Sequence, residues 1–165
     1  MSNTTFTQRI NLRPELDTDL EFLQRVYASS RAEEMKLVPW SDAEKTAFLV
    51  SQFALQRHHY REYYPGATFD VIEFTNLAIG RIYVYRACDH FNLMEITVLP
   101  EFQRQGIAGR LLENLMMEAR AAKLPINLHV EQFNPAKTWY ERLGFRAIED
   151  TGMYLKMQWQ PEEAN

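Results

Sequence analysis

The stretch from Asn92 to Gly109 constrains the fold more than any other part of the sequence. It begins with alternating apolar residues and reaches Pro100, a pattern that predicts a strand ending at the proline. Beyond it, apolar residues recur with a period of about 3.6 residues, which predicts a long amphipathic helix. These helix residues are Ile107, Ala108, Leu111, Leu112, Leu115, Met116, Ala119 and Ala122. The sequence therefore predicts a strand, a tight glycine-bearing loop and a helix in direct succession.

The start of such a helix is a potential anion site. Its first backbone amides have no partner within the helix and lie at the positive end of the helix dipole. Gly106, Ala108 and Gly109 are small enough for a phosphate to reach backbone N–H groups, and Arg104 and Arg110 would add positive charge. Glycine beside a strand-to-helix turn is equally typical of an ordinary turn. Taken alone, this pattern leaves both interpretations open.

Two motifs make the interpretation more specific. The run Q-R-Q-G-I-A at residues 103–108 resembles the [RQ]-x-x-G-x-[GA] signature of the GNAT superfamily, the acetyl-CoA-dependent N-acetyltransferases. The run N-P-A-K-T-W-Y-E-R-L-G-F at residues 134–145 is similar to a later motif of that family. Its matching residues are Asn134, Ala136, Tyr140, Gly144 and Phe145. The motifs stand in the family's order, and the resemblance covers residues 77–147 well and the N-terminal half in outline.

The resemblance implies a binding site for acetyl-CoA as cosubstrate. In GNAT enzymes, backbone groups of the central strand pair with the pantetheine arm, which enters a splay between two parallel strands. On this sequence the corresponding strand residues are Ile96, Thr97 and Val98. The implied pyrophosphate-binding residues are Arg104, Gln105, Gly106, Ile107, Ala108 and Gly109. Asn134 is expected to contact the cofactor near its pantetheine or acetyl end, and Tyr140 matches the family's usual acid, which protonates the CoA thiolate.

An acceptor amine must lose a proton before it attacks, because amine pKa values lie at about 10. Glu95 interrupts the apolar run of the predicted strand and could take this proton directly or through a water molecule. A solvated or ion-paired carboxylate is the other interpretation. Glu131 and His129 are alternative bases, and Thr97 could help to order a water. Family members differ in this residue, so the resemblance does not decide among the candidates.

The implied activity is transfer of an acetyl group to a primary amine of a small molecule or peptide. A non-catalytic CoA-binding regulatory module of the same fold is the alternative, but both the acid and the small loop residues are present, which favours an enzyme. A nucleotide switch is disfavoured because the G-K-[ST] of a P-loop is absent. None of these interpretations requires a metal.

Trp40 could shape an acceptor pocket. The run R-H-H-Y-R-E-Y-Y at residues 57–64 fits a pocket wall, a nucleic-acid surface or simply the last turns of a helix.

Bulk properties limit the partners and the compartment. A net charge of −4 and a pI of about 5.6 argue against a general nucleic-acid binder. The one cysteine, Cys88, allows no intramolecular disulfide and is consistent with a reducing compartment. No apolar segment approaches the length of a membrane span. We therefore expect a soluble, cytoplasmic protein that forms one domain over residues 1–165, and the resembled family suggests a homodimer as one assembly.

The expected fold class is α/β, with a mixed sheet of six to seven strands, helices on both faces and the GNAT acyltransferase architecture. Capping boxes at Thr18–Glu21 and Ser41–Glu44 predict two helix starts. The remaining predicted elements are a first strand over residues 4–12, a hairpin over residues 68–74 and 77–87, a strand at residues 126–130 parallel to the strand at 92–99, a helix over residues 135–143, and closing strands within residues 145–159.

Overall fold

The computed structural model describes residues 9–162, which form seven strands and five α-helices. The strands are β1 (Ile10–Pro14), β2 (Thr68–Phe74), β3 (Leu77–Arg86), β4 (Phe91–Val98), β5 (Ile126–Glu131), β6 (Arg146–Asp150) and β7 (Tyr154–Trp159). The helices are α1 (Leu20–Ser30), α2 (Ala32–Lys36), α3 (Asp42–Tyr63), α4 (Ile107–Ala122) and α5 (Ala136–Arg142), with short 3-10 turns at Asp17–Asp19 and Pro100–Phe102. The strand order in the sheet is β1-β2-β3-β4-β5-β7-β6.

The chain divides into two compact units. The first comprises the residues up to Tyr83 together with Glu95–Ala108, and the second comprises Val84–Met94 and the chain from Gly109 onward. Strands β3 and β4 and helix α4 therefore contribute residues to both units.

The first unit contains β1, β2 and part of β3, with β2 between the other two. β1 pairs with β2 from Ile10↔Phe74 to Pro14↔Asp70. The tight turn to β3 is made by Thr75 and Asn76, which have φ values of 50° and 66°. Two consecutive positive φ values are typical of a hairpin turn whose twist matches that of its strands. The core of this unit includes Leu23, Tyr27, Phe53 and Val71, with Phe22, Leu49 and Ala78 packed against them.

The two predicted helix caps have different outcomes. Ser41 caps α3 as predicted, since its hydroxyl accepts a hydrogen bond from the Glu44 amide at 3.2 Å. The prediction of a capping box at Thr18 is wrong. A 3-10 turn precedes α1, and the Asp19 carboxylate accepts from the Leu16 amide at 2.7 Å. The capped position is therefore Leu16, at the start of the 3-10 turn and two residues before the predicted position Thr18.

The second unit contains the predicted parallel pairing. β4 pairs with β5 at Phe91↔Ile126 and Asn92↔Asn127. β5 and β7 are antiparallel from Ile126↔Trp159 to Glu131↔Tyr154, and β6 pairs with β7 through an irregularity between Ala147 and Glu149. The buried stripe of α4 in this unit consists of Leu111, Leu112, Leu115, Met116 and Ala119.

The predicted mixed sheet is confirmed with seven strands. The strand, loop and helix predicted over residues 92–122 are confirmed as well, and so are the hairpin and the closing strands. The first strand occupies Ile10–Pro14, and the part of the prediction before residue 9 lies outside the described residues. No helix in the described part of the chain combines the length and the apolar character needed to cross a membrane.

Candidate functional site

The loop that follows the 3-10 turn and leads into α4 is held by the side chain of Gln103. Gln103 donates a hydrogen bond from Nε2 to the Val98 carbonyl at 2.8 Å, which ties the loop back to the end of the strand. Arg104 and Gly106 adopt positive φ values of 63° and 79°. The apolar side chain of Ile107 is buried and anchors the first turn of the helix.

This loop has the features of an anion site. Within residues 9–162, the amides of Gln105 and Gly106 donate to no protein acceptor, and residues 103–106 are exposed. A β-carbon added to Gly106 or Gly109 would meet nothing within 4 Å. Because the first amides of α4 also lack helical partners, several N–H groups are available along this short segment. The residues present thus fit the pyrophosphate-binding role expected from the sequence.

Glu95 lies in a network of hydrogen bonds within the first unit. Its Oε1 accepts from Gln56 Nε2 at 3.0 Å and from the Tyr60 hydroxyl at 3.0 Å. Its Oε2 lies 3.7 Å from Nη2 of Arg81. The side chain is 24% exposed, so the carboxylate is held in place and still reaches solvent. The carboxylate is ion-paired, as one interpretation of Glu95 predicts. An ion-paired carboxylate can also accept a proton, so the interpretation of Glu95 as a base stays a prediction.

Arg81 is the buried cation of this network. Only 1% of its surface is exposed, and the guanidinium carbon lies 5.9, 5.8 and 4.9 Å from the ring centres of Tyr27, Phe53 and Tyr83. Its Nη2 donates to Gln56 Oε1 at 3.0 Å, whereas its Nε has no partner among the described residues. Burial opposes the charge, but Glu95 in particular raises the pKa of Arg81 above its ordinary value.

Tyr60 is a protonated donor in this network. Burial first, and then the charge and hydrogen bond of Glu95, raise the pKa of Tyr60 well above its ordinary value of 10.0. Because the hydroxyl keeps its proton at physiological pH, it donates to Glu95.

The segment at residues 57–64 forms the last turns of α3 and the residue after them, as the helix interpretation predicts. Its two arginines, Arg57 and Arg61, both bind Glu15. Trp40 is partly exposed and packs edge-on against Phe48, with ring centres 5.3 Å apart.

Sequence reasoning singled out Glu95 as a candidate but did not predict its contacts with Gln56 and Arg81. Gln56 is 39 positions away from Glu95, and nothing in its local sequence distinguishes it. Arg81 did carry a signal, because it is a charged residue in the otherwise apolar strand A-I-G-R-I-Y-V-Y. A buried charge requires polar partners, so this pattern would have justified a search for them.

The second unit contains the other sequence-predicted residues. Tyr140 in α5 is 8% exposed, and its ring packs against Trp139 and Phe145 at centre distances of 5.1 and 5.7 Å. Asn134 lies just before the same helix, whose N-cap is Pro135, and its Oδ1 accepts from the amide of Ala136, the first helical residue, at 2.9 Å. Burial, and then the charge of Lys156, lower the pKa of His129 below its ordinary value of 6.5.

Gly144 of the later motif has a structural role. Its φ is 102°, and a β-carbon there would lie 3.3 Å from Cδ1 of Trp159. This motif glycine is therefore explained by backbone conformation and packing alone. Within residues 9–162, no group of three or more His, Cys, Asp or Glu side chains could hold a metal ion.

A family model described as an acetyltransferase (GNAT) domain matches residues 65–147, a little over half of the 165 residues. That range includes Glu95, the loop before α4, Asn134 and Tyr140. No curated protein sequence matches the chain at a significant level.

Solved structures with the same fold cover most of the chain. The PaiA N-acetyltransferase from Thermoplasma acidophilum, solved in complex with coenzyme A, is 19% identical, with a TM-score of 0.68 over 92% of this chain and 98% of that chain. The ribosomal-protein-S18-alanine N-acetyltransferase from Escherichia coli is 21% identical, with a TM-score of 0.60 and coverage of 94% and 96%. A GNAT family acetyltransferase from Elizabethkingia anophelis with acetyl-CoA bound is 15% identical, with a TM-score of 0.57 and coverage of 92% and 98%.

Proposed function

Since the chain belongs to the GNAT acetyltransferase family and is an acyltransferase, we propose that it moves an acetyl group from acetyl-CoA to a primary amine of a small molecule or peptide. The observation that carries this proposal is the family match over residues 65–147, which spans both sequence motifs. Similar folds have been solved with coenzyme A and with acetyl-CoA bound, which supports the choice of donor. The proposed setting is the cytoplasm.

The loop before α4 is the proposed pyrophosphate-binding segment. Its available amides at Gln105 and Gly106 and the first turn of the helix would hold the anion, with Arg104 adding positive charge. The open space where a Gly106 side chain would project supports close approach of a ligand to the backbone. In the second unit, Asn134 is proposed as a further contact to the donor. Its side chain also accepts from the first amide of α5, so its replacement would disturb the start of that helix as well.

The backbone of β4 is the proposed partner of the pantetheine arm, through Ile96, Thr97 and Val98. The Val98 carbonyl already accepts a hydrogen bond from Gln103, so the candidates are the Val98 N–H and the backbone groups of Ile96 and Thr97.

Two side chains are proposed for proton transfer. Glu95 accepts the proton that the attacking ammonium group must lose, and the amine nitrogen then forms a bond to the acetyl carbon. As the carbon–sulfur bond breaks, Tyr140 donates its proton to the departing thiolate. The nitrogen of the adduct still carries one proton more than the amide product, and this second proton replaces the one that Tyr140 gave to the thiolate. The net proton released is therefore the one that Glu95 took from the ammonium group. Support for Glu95 comes from its partial exposure, and support for Tyr140 comes from its position in the later motif.

Calorimetric titration with acetyl-CoA tests the donor assignment, with desulfo-CoA and ATP as comparison ligands. We expect saturable binding of acetyl-CoA that ATP does not reproduce. Gly106→Glu should abolish this binding, because both the side chain and its charge oppose a pyrophosphate on the loop. Failure of the wild-type protein to bind acetyl-CoA would refute the proposal. Retained affinity in Gly106→Glu would refute the loop assignment alone.

Turnover is then tested with a panel of amines and a thiol-release assay. The panel contains free amino acids, spermidine, an aminoglycoside and a peptide with an N-terminal alanine. The peptide is included because one similar structure is an N-acetyltransferase of ribosomal protein S18 alanine. Release of CoA that depends on one of these amines would support the proposed transfer. Donor binding with no amine-dependent release would instead favour a non-catalytic CoA-binding module.

A further inference from the structure

The amide group of Gln56 lies between Arg81 and Glu95 and contacts both. Its Oε1 accepts from Arg81 Nη2 at 3.0 Å, and its Nε2 donates to Glu95 Oε1 at 3.0 Å. An arginine side chain has donors only, and an ionised carboxylate has acceptors only. The amide oxygen must therefore face Arg81, and the amide NH₂ must face Glu95. Arg81 thus determines that Gln56 acts as a donor toward Glu95.

The position of Arg81 is itself fixed. It belongs to β3, is almost completely buried, and lies among the rings of Tyr27, Phe53 and Tyr83. Such an environment leaves the guanidinium little freedom to move and keeps it away from solvent. Any effect of Arg81 on the reaction must therefore pass through the side chains that it contacts.

The two oxygens of Glu95 have different surroundings. Oε1 accepts two hydrogen bonds, one from Gln56 and one from Tyr60. Oε2 has no hydrogen-bond partner among the residues that the structure describes, and its nearest cation is Arg81 Nη2 at 3.7 Å. A carboxylate anchored through one oxygen presents the other oxygen for proton transfer in a defined direction.

We propose that Arg81 and Gln56 are positioning residues that orient Glu95 so that its Oε2 receives the proton of the acceptor amine. The inference rests on the proposed role of Glu95 as the base and extends it to one oxygen and to the two residues whose contacts hold that carboxylate. In the step itself, the N–H bond of the ammonium breaks, the proton bonds to Oε2, and the electron pair stays on nitrogen. No further reactant is needed.

A double-mutant cycle between Gln56 and Glu95 tests this proposal, using the panel amine that the enzyme acetylates. We expect Gln56→Leu to lower kcat by about 10-fold and to leave the KM for acetyl-CoA unchanged, a coupling within the range for residues in one network. In the Glu95→Gln background, the same change should have no further effect on kcat, because there is no base left to orient. A merely structural role would lower kcat in both backgrounds.

Gln52→Leu is the matched control, since Gln52 lies one turn earlier on α3, is also partly buried and forms no side-chain hydrogen bond within residues 9–162. It should leave kcat unchanged. Arg81→Met should behave like Gln56→Leu, and Arg81→Lys should restore part of the activity because an ammonium group can again donate to Gln56. Equal kcat values for Gln56→Leu and Gln52→Leu would overturn the positioning role. Full activity of Glu95→Gln would instead refute the base assignment.

Crystal structures give a readout that does not depend on turnover or on a variant's activity. In the wild-type protein, Glu95 should occupy one rotamer with Oε1 bound to Gln56 and Tyr60. In Gln56→Leu, we expect the carboxylate to adopt other rotamers. An unchanged Glu95 in that variant would overturn the proposal even if no acceptor had been found.

Discussion

Gly80 and Thr97 are in such close contact that no side chain fits between them. A β-carbon on Gly80 would lie 2.2 Å from the Thr97 carbonyl oxygen and 3.0 Å from the Cα atom of Val98. Both contacts are with backbone, which cannot rotate away as a flexible side chain would. The glycine in β3 therefore permits the observed course of β4 next to Glu95.

Gly80→Ala should strongly destabilise the protein, because the added methyl group forces β3 and β4 apart. We expect a loss of at least about 2 kcal/mol in the free energy of unfolding, as for other overpacked sites. Urea denaturation measures this loss. If the backbone of Thr97 binds the donor, the folded fraction of this variant should also bind acetyl-CoA more weakly. A stability equal to that of the wild type would contradict the close contact.

The buried carboxylate of Glu15 contacts two arginines and a tyrosine in the first unit. Its side chain is 3% exposed and accepts from Arg57 at 2.9 Å, from Arg61 at 2.6 Å and from the Tyr83 hydroxyl at 2.5 Å. Glu15→Gln should lower the free energy of unfolding by about 2 kcal/mol, because it removes the buried negative charge that both arginines contact. The control is Glu62→Gln, which removes an exposed contact to His58 and should cost less than about 1 kcal/mol. Similar losses in the two variants would contradict the importance of burial.

The Arg13–Asp19 pair should make stability depend on pH. The hydrogen-bonded Arg13 guanidinium lowers the pKa of Asp19 below its ordinary value of 3.8. Because the folded-state pKa is the lower one, the pair contributes fully above the ordinary pKa and loses its contribution as the pH falls through the folded-state pKa. Denaturation of wild type and Asp19→Asn across acidic pH should show a stability difference that shrinks toward low pH. A difference that does not change with pH would refute this contribution.

Local patterns predicted the elements around the candidate site well. The strand, loop and helix at residues 92–122 follow from the spacing of apolar residues, because the strand and the helix each bury the apolar side chains that define this spacing. The cap at Ser41 was also predicted correctly, because its hydrogen bond joins two residues that are only three positions apart, Ser41 and Glu44. The cap at Thr18 was wrong because Asp19 is drawn into contacts with Leu16 and Arg13 that no capping pattern encodes.

The surroundings of Glu95 could not be predicted from sequence. Its partners Gln56 and Tyr60 lie on a helix that reaches β4 only through the tertiary fold. Tyr60 could be placed on a helix, yet sequence alone could not decide whether it faced the core or a ligand. The structure gives it both a partly buried ring and a hydrogen bond to Glu95.

Gly109→Ala separates the effect of Gly109 on stability from its proposed role in binding the donor. A β-carbon at this helical position would meet nothing within 4 Å, so the change should stabilise the protein by up to about 1 kcal/mol through helix propensity. If the pyrophosphate binds on this turn, the affinity for acetyl-CoA should nevertheless fall. Thermal unfolding and calorimetry measure the two effects, with exposed Met117→Ala on the same helix as the control for affinity. Higher stability with undiminished affinity would exclude Gly109 from the donor site.

Tyr140→Phe tests the proposed acid directly. The substitution keeps the ring that packs against Trp139 and Phe145 and removes the hydroxyl proton. We expect kcat to fall by about 100-fold, the usual scale for loss of a general acid, with acetyl-CoA affinity nearly unchanged. Tyr154→Phe changes the same group on a half-exposed side chain of β7 and should retain wild-type kcat. Because protonation of the thiolate matters less when the leaving group is a weaker base, the loss should shrink with an acetyl thioester of a more acidic thiol. Unaltered turnover of Tyr140→Phe with acetyl-CoA would remove this residue from the mechanism.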